Sequence, residues 1–179
     1  MKTTPANIQG ILILEPKVFC DERGFFFESY NERTLAAHGI NNSFVQDNHS
    51  SSRRGVLRGI HYQVARPQAK LVRVISGEAF DVAVDLRRSS PTFGRWFGMI
   101  LSASNRLQLY IPVGFGHGFL TLSDTVEMLY KASDFYAPEH ERCIRWDDPD
   151  LAIDWPPAGE LIISGKDAAG SFFREADLP

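Results

Sequence analysis

An all-β fold, either a sandwich or a barrel, is what this sequence predicts, and three observations carry the expectation. Most segments are short runs of β-branched or aromatic residues separated by Gly, Pro, Asn or Asp, the pattern of antiparallel strands joined by turns rather than of a parallel α/β sheet. The run Phe80-Asp81-Val82-Ala83-Val84-Asp85-Leu86 alternates cleanly between apolar and acidic residues, which is the two-residue period of a core-forming strand. Helix-period segments are scarce.

Taken in order, the amino end, Met1 to Pro5, leads into Ile8 to Leu14, too short and too interrupted for a signal peptide or membrane span, so a cytoplasmic protein is expected. Asn31 to His38 is the best helical candidate, with Asn31 as its cap and Gly39 as its stop. Val56 to Gln63 reads as a strand bounded by Arg54-Gly55 and Arg66-Pro67, and it sets a cation, an imidazole and a phenol in an apolar run. Strict alternation places Leu57, His61 and Gln63 on one face and Arg58, Ile60 and Tyr62 on the other, unless Gly59 hosts a bulge that re-aims either set. A short loop then reaches the β-rich run Lys70 to Ile75, so Lys70 is expected to face His61 across a hairpin. On the alternating run, Asp81 and Asp85 are expected on an outward face, solvated or salt-bridged rather than acting as a catalytic pair. Leu107 to Ile111 and Val126 to Lys131 are further strands, Met128 and Tyr130 sharing one face of the latter and Glu127 and Lys131 the other. Between them, Ile111 to Phe119 packs three glycines around His117, suggesting a corner where backbone approaches something closely. A weaker helix is expected around Lys166 to Ala169.

With 179 residues and 44% hydrophobic content, the chain is long enough for one well-filled core, and residues 1–179 are expected to form a single domain. A net charge of −3 argues against nucleic acid or an anionic membrane as a partner. Cys20 and Cys143 lie far apart without C-x-x-C spacing and are expected to be free thiols. No phosphate-binding glycine loop is present, so a nucleotide must be held by side chains. His49, His61 and His117 lack the H-x-H spacing of same-face strand ligands, so no catalytic metal is expected.

The runs Asp21 to Phe26, Phe44 to Ser50, Leu57 to Gln63, Lys70 to Val74, Phe80 to Leu86, Ser90 to Gly94, Gly114 to Phe119, Leu129 to Lys131 and Ser164 to Asp167 follow one another in a recognisable order. In that order the chain resembles the dTDP-4-dehydrorhamnose 3,5-epimerases, the RmlC family, over about residues 8 to 170. The resemblance implies a cupin or jelly-roll β-barrel with one or two short helices, a homodimer, no cofactor, and a dTDP-linked 4-keto-6-deoxy sugar as substrate. It implies an isomerase of dTDP-L-rhamnose biosynthesis that inverts C3 and C5 of dTDP-4-dehydro-6-deoxy-D-glucose, giving dTDP-4-dehydro-L-rhamnose.

By position in the matching motifs, His61 is the base, Asp167 holds its other ring nitrogen, Lys70 stabilises the enolate and Tyr130 delivers the proton. The residue types suit these roles, because inversion beside a ketone needs a base on one face, an acid on the other and a charge at the enolate oxygen. The same carry-over gives a binding shell of Arg23, Glu28, Gln46, Asp47, Asn48, Arg58, His117, Glu141 and Lys166, in which arginines suit a pyrophosphate and amides a sugar or base. Ala69 stands where the family usually has glycine and Tyr110 where tryptophan is common, which leaves room for an enzyme inverting one carbon only. Such a mono-epimerase, or a ketoisomerase on a related sugar, is the alternative within enzymes. A non-catalytic sugar-nucleotide-binding barrel is the alternative outside them, and it has no use for Tyr130 or for the His61 and Asp167 pair.

Overall fold

Side-chain alternation along the strands builds two faces at once, one turned to a shared interior and one covered from outside. The computed structural model describes residues 1–179. In chain order its strands are β1 (Lys2–Pro5), β2 (Leu12–Glu15), β3 (Phe19–Asp21) and β4 (Gly24–Phe26), followed by helix α1 (Glu32–Ala37). Then come β5 (Gln46–Arg53), β6 (Val56–Gln63), β7 (Lys70–Ser76), β8 (Glu78–Asp85), β9 (Trp96–Ser102), β10 (Gln108–Ile111), β11 (Phe115–Thr121) and β12 (Thr125–Ala132). The chain closes with β13 (Glu141–Cys143), β14 (Ile162–Ile163) and helix α2 (Gly165–Ala168). The expected strands and both short helices are present, each within a residue or two of its expected bounds.

The strands form two sheets, ordered β1-β2-β10-β7-β12-β5 and β13-β6-β11-β8-β9, with β14 beside β6 and with β3 and β4 in a separate hairpin. The fold is thus of the jelly-roll, cupin-like class, with two facing sheets whose ladders do not join into a closed barrel. Between them lies the largest core cluster, in which Val72, Leu109, Val126 and Met128 of one sheet meet Ala79, Ala83, Leu101, Phe115 and Phe119 of the other. A second cluster packs Ile60, Val82, Val84 and Leu86 on the outer face of the second sheet beneath Ile144, Leu151 and Ala176 of the carboxyl-terminal segment. A third lies on the outer face of the first sheet, where Leu35 of α1 and Ile40 cover Leu14, Leu71 and Tyr110. Helix α1 starts as expected, the Asn31 side chain accepting a hydrogen bond from Thr34 N–H at 3.1 Å, and Gly39 follows it with φ +84°.

Two expectations need correction. β6 and β7 belong to different sheets, so residues 64–69 cross the sandwich instead of closing a hairpin, and Lys70 faces His61 across the interior. Asp81 and Asp85 are not outward: both are 0% exposed. Strand β8 is covered on both faces, by the central core on one side and the carboxyl-terminal segment on the other, so its acidic face is an inner face. The ion-paired half of the expectation holds for Asp85, which bonds Arg87, whereas Asp81 is held by a hydrogen bond from His117.

Asp85 organises the turn after β8. It accepts hydrogen bonds from Arg87, Ser90 and Thr92 at 2.6–2.8 Å. Burial pushes its carboxyl upward, but those bonds outweigh burial and leave the pKa at about 2. Asp85→Ala removes the acceptor shared by Arg87, Ser90 and Thr92, while the partly exposed Arg87 keeps its bond to the Gln9 carbonyl, and is expected to cost about 1–3 kcal/mol in urea unfolding. Because the folded pKa lies below the unfolded one, this contribution is complete above about pH 4 and fades as pH falls toward 2. Equal acid sensitivity in wild type and variant would count against it.

Candidate active site

The site begins with a register shift in β6. His61 pairs with His117 of β11 and Arg58 with Phe119, so Gly59 and Ile60 together oppose Gly118. This is the bulge that Gly59 permits, since its φ of +114° is costly for other residues. Gly118 makes the approach possible: a Cβ there would stand 2.7 Å from Ile60 Cδ1 and 2.8 Å from the Arg58 carbonyl oxygen. The outcome departs from strict alternation, because Arg58, His61 and Gln63 all turn to the interior while Leu57, Ile60 and Tyr62 pack outward.

These side chains line a cleft of about 400 Å³ between the sheets, within the size range of small-molecule sites. The second sheet contributes Arg58, His61, Gln63, His117, Phe119 and Glu141; the first contributes Gln46, Asn48, Ser50, Lys70 and Tyr130. The Lys70 ammonium lies 5.9 Å from the centre of the Tyr130 ring. The His117 ring is 6.5 Å from the same phenol.

His61 Nε2 bonds Asp167 Oδ1 at 2.5 Å although 106 positions separate them. Asp167 sits in α2, whose first turn is fixed by Ser164 Oγ accepting from Asp167 N–H at 3.1 Å. Burial pushes the Asp167 carboxyl upward, yet the hydrogen bonds it accepts from His61, Ser164 and Gly59 hold it below the usual range. It is a carboxylate at neutral pH, which requires His61 to carry its proton on Nε2 and leaves Nδ1 as the basic nitrogen. A similar pair lies deeper, where His117 Nε2 meets Asp81 Oδ2 at 2.9 Å. Burial lowers the His117 pKa against the pull of Asp81, and Lys70 and His61 lower it further. His117 is neutral, donates to Asp81, and has a lone pair at Nδ1 to offer.

Burial raises the Tyr130 phenol above its usual range, Arg58 opposing the rise and Glu141 adding to it, so the hydroxyl stays protonated at neutral pH. Burial holds Lys70 down to about 8 against the charges of Asp81 and Glu141. A protonated phenol, a carboxylate-backed imidazole and a partly buried ammonium therefore share one cleft, the equipment for moving a proton on and off a carbon beside a carbonyl.

The family model described as dTDP-4-dehydrorhamnose 3,5-epimerase matches residues 5–175. The chain belongs to this epimerase family. A dTDP-4-dehydrorhamnose 3,5-epimerase of Pseudomonas aeruginosa is 59% identical over 178 residues, covering 99% of this chain and 98% of its own. The crystal structure of an RmlC epimerase from Legionella pneumophila in complex with dTDP-4-keto-L-rhamnose superposes with a TM-score of 0.96 at 49% identity, covering 99% of this chain and 97% of that one. A 3'-monoepimerase from Streptomyces bikiniensis in complex with dTDP-quinovose is more distant, at 35% identity and a TM-score of 0.88, covering 95% of this chain and 87% of that one.

Within this epimerase-family chain the expected site residues fall into three groups. His61, Lys70, Tyr130, Gln46, Asn48, Arg58, His117 and Glu141 line the cleft. Asp167 stands behind His61, and Lys166 contacts Glu141 at the rim, where Tyr136 also donates to Glu141. Asp47 alternates to the opposite face of β5 and pairs with Lys131 at 2.8 Å, while Arg23, on the β3–β4 hairpin and bonded to Asp21, and Glu28 lie outside the cleft of their own chain.

Ser50, Gln63, Gln68, Tyr136 and the His117 partner Asp81 were not among the expected site residues. Ser50 was legible: the alternation that puts Gln46 and Asn48 inward on β5 carries it inward too. Its Oγ and the Asn48 Nδ2 are buried without a partner in the chain.

Proposed function

We propose that this chain epimerises C3 and C5 of dTDP-4-dehydro-6-deoxy-D-glucose, giving dTDP-4-dehydro-L-rhamnose. The observation that carries the reading is the opposition, across one cleft, of the His61–Asp167 pair on one sheet and of Lys70 and Tyr130 on the other. Both carbons flank the C4 ketone. His61 Nδ1 removes the proton, the electron pair moves to the C4 oxygen, and the Lys70 ammonium neutralises the enolate charge. Tyr130 returns a proton to the opposite face and is reprotonated from solvent, to which His61 gives up the proton it took. Only protons move, so the reaction needs no redox cofactor. Arg58, Gln46, Asn48, His117, Glu141 and Lys166 form the binding shell within the chain.

Arg23, Asp47 and Glu28 complete that shell in a homodimer. Support for a second copy comes from the β3–β4 hairpin, where Phe19, Phe25 and Phe26 are 53%, 58% and 72% exposed and Phe19 and Phe26 pair across the two strands, apolar surface that a partner would cover. No helix is long and apolar enough to cross a membrane. The free thiols Cys20 and Cys143 suit a reducing compartment, and we place this single-domain enzyme in the cytoplasm.

Proton NMR of the substrate incubated with the protein in deuterated water tests the reading. Deuterium is expected at both C3 and C5. Label at one carbon would identify a mono-epimerase, and tight binding without label a non-catalytic sugar-nucleotide-binding barrel. The pH dependence of kcat/KM gives a further expectation. Lys70 is charged below about pH 8 and neutral above it, so kcat/KM should fall by about tenfold per unit on the alkaline side. Lys70→Arg, which keeps its charge, should remove that limb. An unchanged limb in Lys70→Arg would assign it to another group.

A further inference from the structure

Behind the His61 ring, on the side away from the cleft, three side chains from three elements converge. Cys143 of β13 is paired with His61 of β6 across the ladder, and Asp167 of α2 closes on both. A ring nitrogen of His61, Cys143 Sγ and a carboxylate oxygen of Asp167 lie within 4.8 Å of one another. Cys143 Sγ is 3.8 Å from Asp167 Oδ1 and Asp167 Oδ1 is 2.5 Å from His61 Nε2. One nitrogen, one sulfur and one carboxylate oxygen form a donor set for a borderline-soft ion, and a single carboxylate is too little for a hard one. Zinc bonds of about 2.0–2.3 Å in a tetrahedron put neighbouring donors roughly 3.3–3.6 Å apart. The sulfur–oxygen separation already approaches that spacing, and the His61–Asp167 contact has to open by about 0.8 Å to reach it.

We propose that His61, Cys143 and Asp167 form an inhibitory site for a divalent cation of the zinc class, with water in the fourth position. The inhibition rests on the base role proposed for His61; the binding does not. On binding, the thiol proton leaves to solvent and Cys143 coordinates as thiolate. The proton on His61 Nε2 relocates to Nδ1, so the imidazole stays neutral and one proton is released in all. Metal on Nε2 thus blocks Nδ1, the nitrogen that has to accept the substrate proton. The ion reaches the cluster past the His61 ring, whose side chain is 29% exposed at the cleft wall.

Metal-stripped protein titrated with Cd²⁺, a spectroscopic stand-in for Zn²⁺, tests the site without substrate. The sulfur-to-cadmium charge-transfer band should saturate at one ion per chain. It should persist in Cys20→Ser, whose thiol is exposed elsewhere, and vanish in both Cys143→Ser and Cys143→Ala. In parallel, Zn²⁺ should lower epimerisation by at least about tenfold, Mg²⁺ at the same concentration should have no effect, and EDTA should restore the full metal-free rate. Half-inhibition of Cys143→Ser, relative to its own metal-free rate, should require at least about tenfold more Zn²⁺. A missing band, a band that survives loss of Cys143, or equal Zn²⁺ sensitivity with and without the thiol would overturn the proposal. Because the band reports binding alone, failure of the site is distinguishable from failure of the proposed reaction.

Discussion

His61→Ala is expected to lower kcat by about 10²–10⁴-fold, the range of an ordinary general base, while KM changes by no more than a few-fold. The imidazole is proposed to act on a carbon-bound proton, and the nucleotide's charges are left to Arg58, Lys166 and the rest of the shell. Deuterium wash-in at C3 and C5 should fall in step with kcat, since both need the same proton removed. Steady-state kinetics and NMR exchange on one preparation check this together. Exchange at the wild-type rate in the variant would place the base elsewhere in the cleft, with Asp81-backed His117 the first alternative.

Tyr130→Phe should separate two events that His61→Ala abolishes together. Without the phenol the enolate still forms, and the protonated His61 can return a proton only to the face from which it took one. Deuterium should therefore enter the substrate at a rate close to wild type, while inverted product falls by about 10²–10⁴-fold. The hydroxyl is a single atom on a ring packed against the central core, so the variant keeps its fold. Loss of exchange along with inversion would mean that Tyr130 helps to form the enolate and does not merely quench it.

How much of this was legible in the sequence depends on the kind of information each residue needed. The inward aim of Tyr130 followed from its sharing a face with Met128, because alternation is local and β12 is regular. The helix at Asn31 was legible for the same reason: a cap and a stop are short-range signals. Asp81 was misplaced because alternation separates two faces without saying which is inside, and β8 is buried on both. Lys70 was placed across a hairpin because a short connection reads alike whether it turns back within a sheet or crosses to the other. Arg58 and His61 share a face only through the Gly59 bulge, a shift that the sequence permits but does not announce. The His61–Asp167 contact has no local signature at all and was reachable only through the order of motifs along the chain.

The two halves of the site hang on different sheets, and nothing covalent within the cleft joins them. The gap between proton acceptor and proton donor is therefore set by the residues wedged between the sheets nearby, Val72, Met128, Phe115 and Phe119 among them. Packing at that density transmits even a methylene's change in volume. Stereochemical fidelity in this molecule is thus a mechanical property of its apolar filling: a softened interior lets the gap breathe, and returned protons then compete with delivered ones while every polar residue of the cleft is still in place.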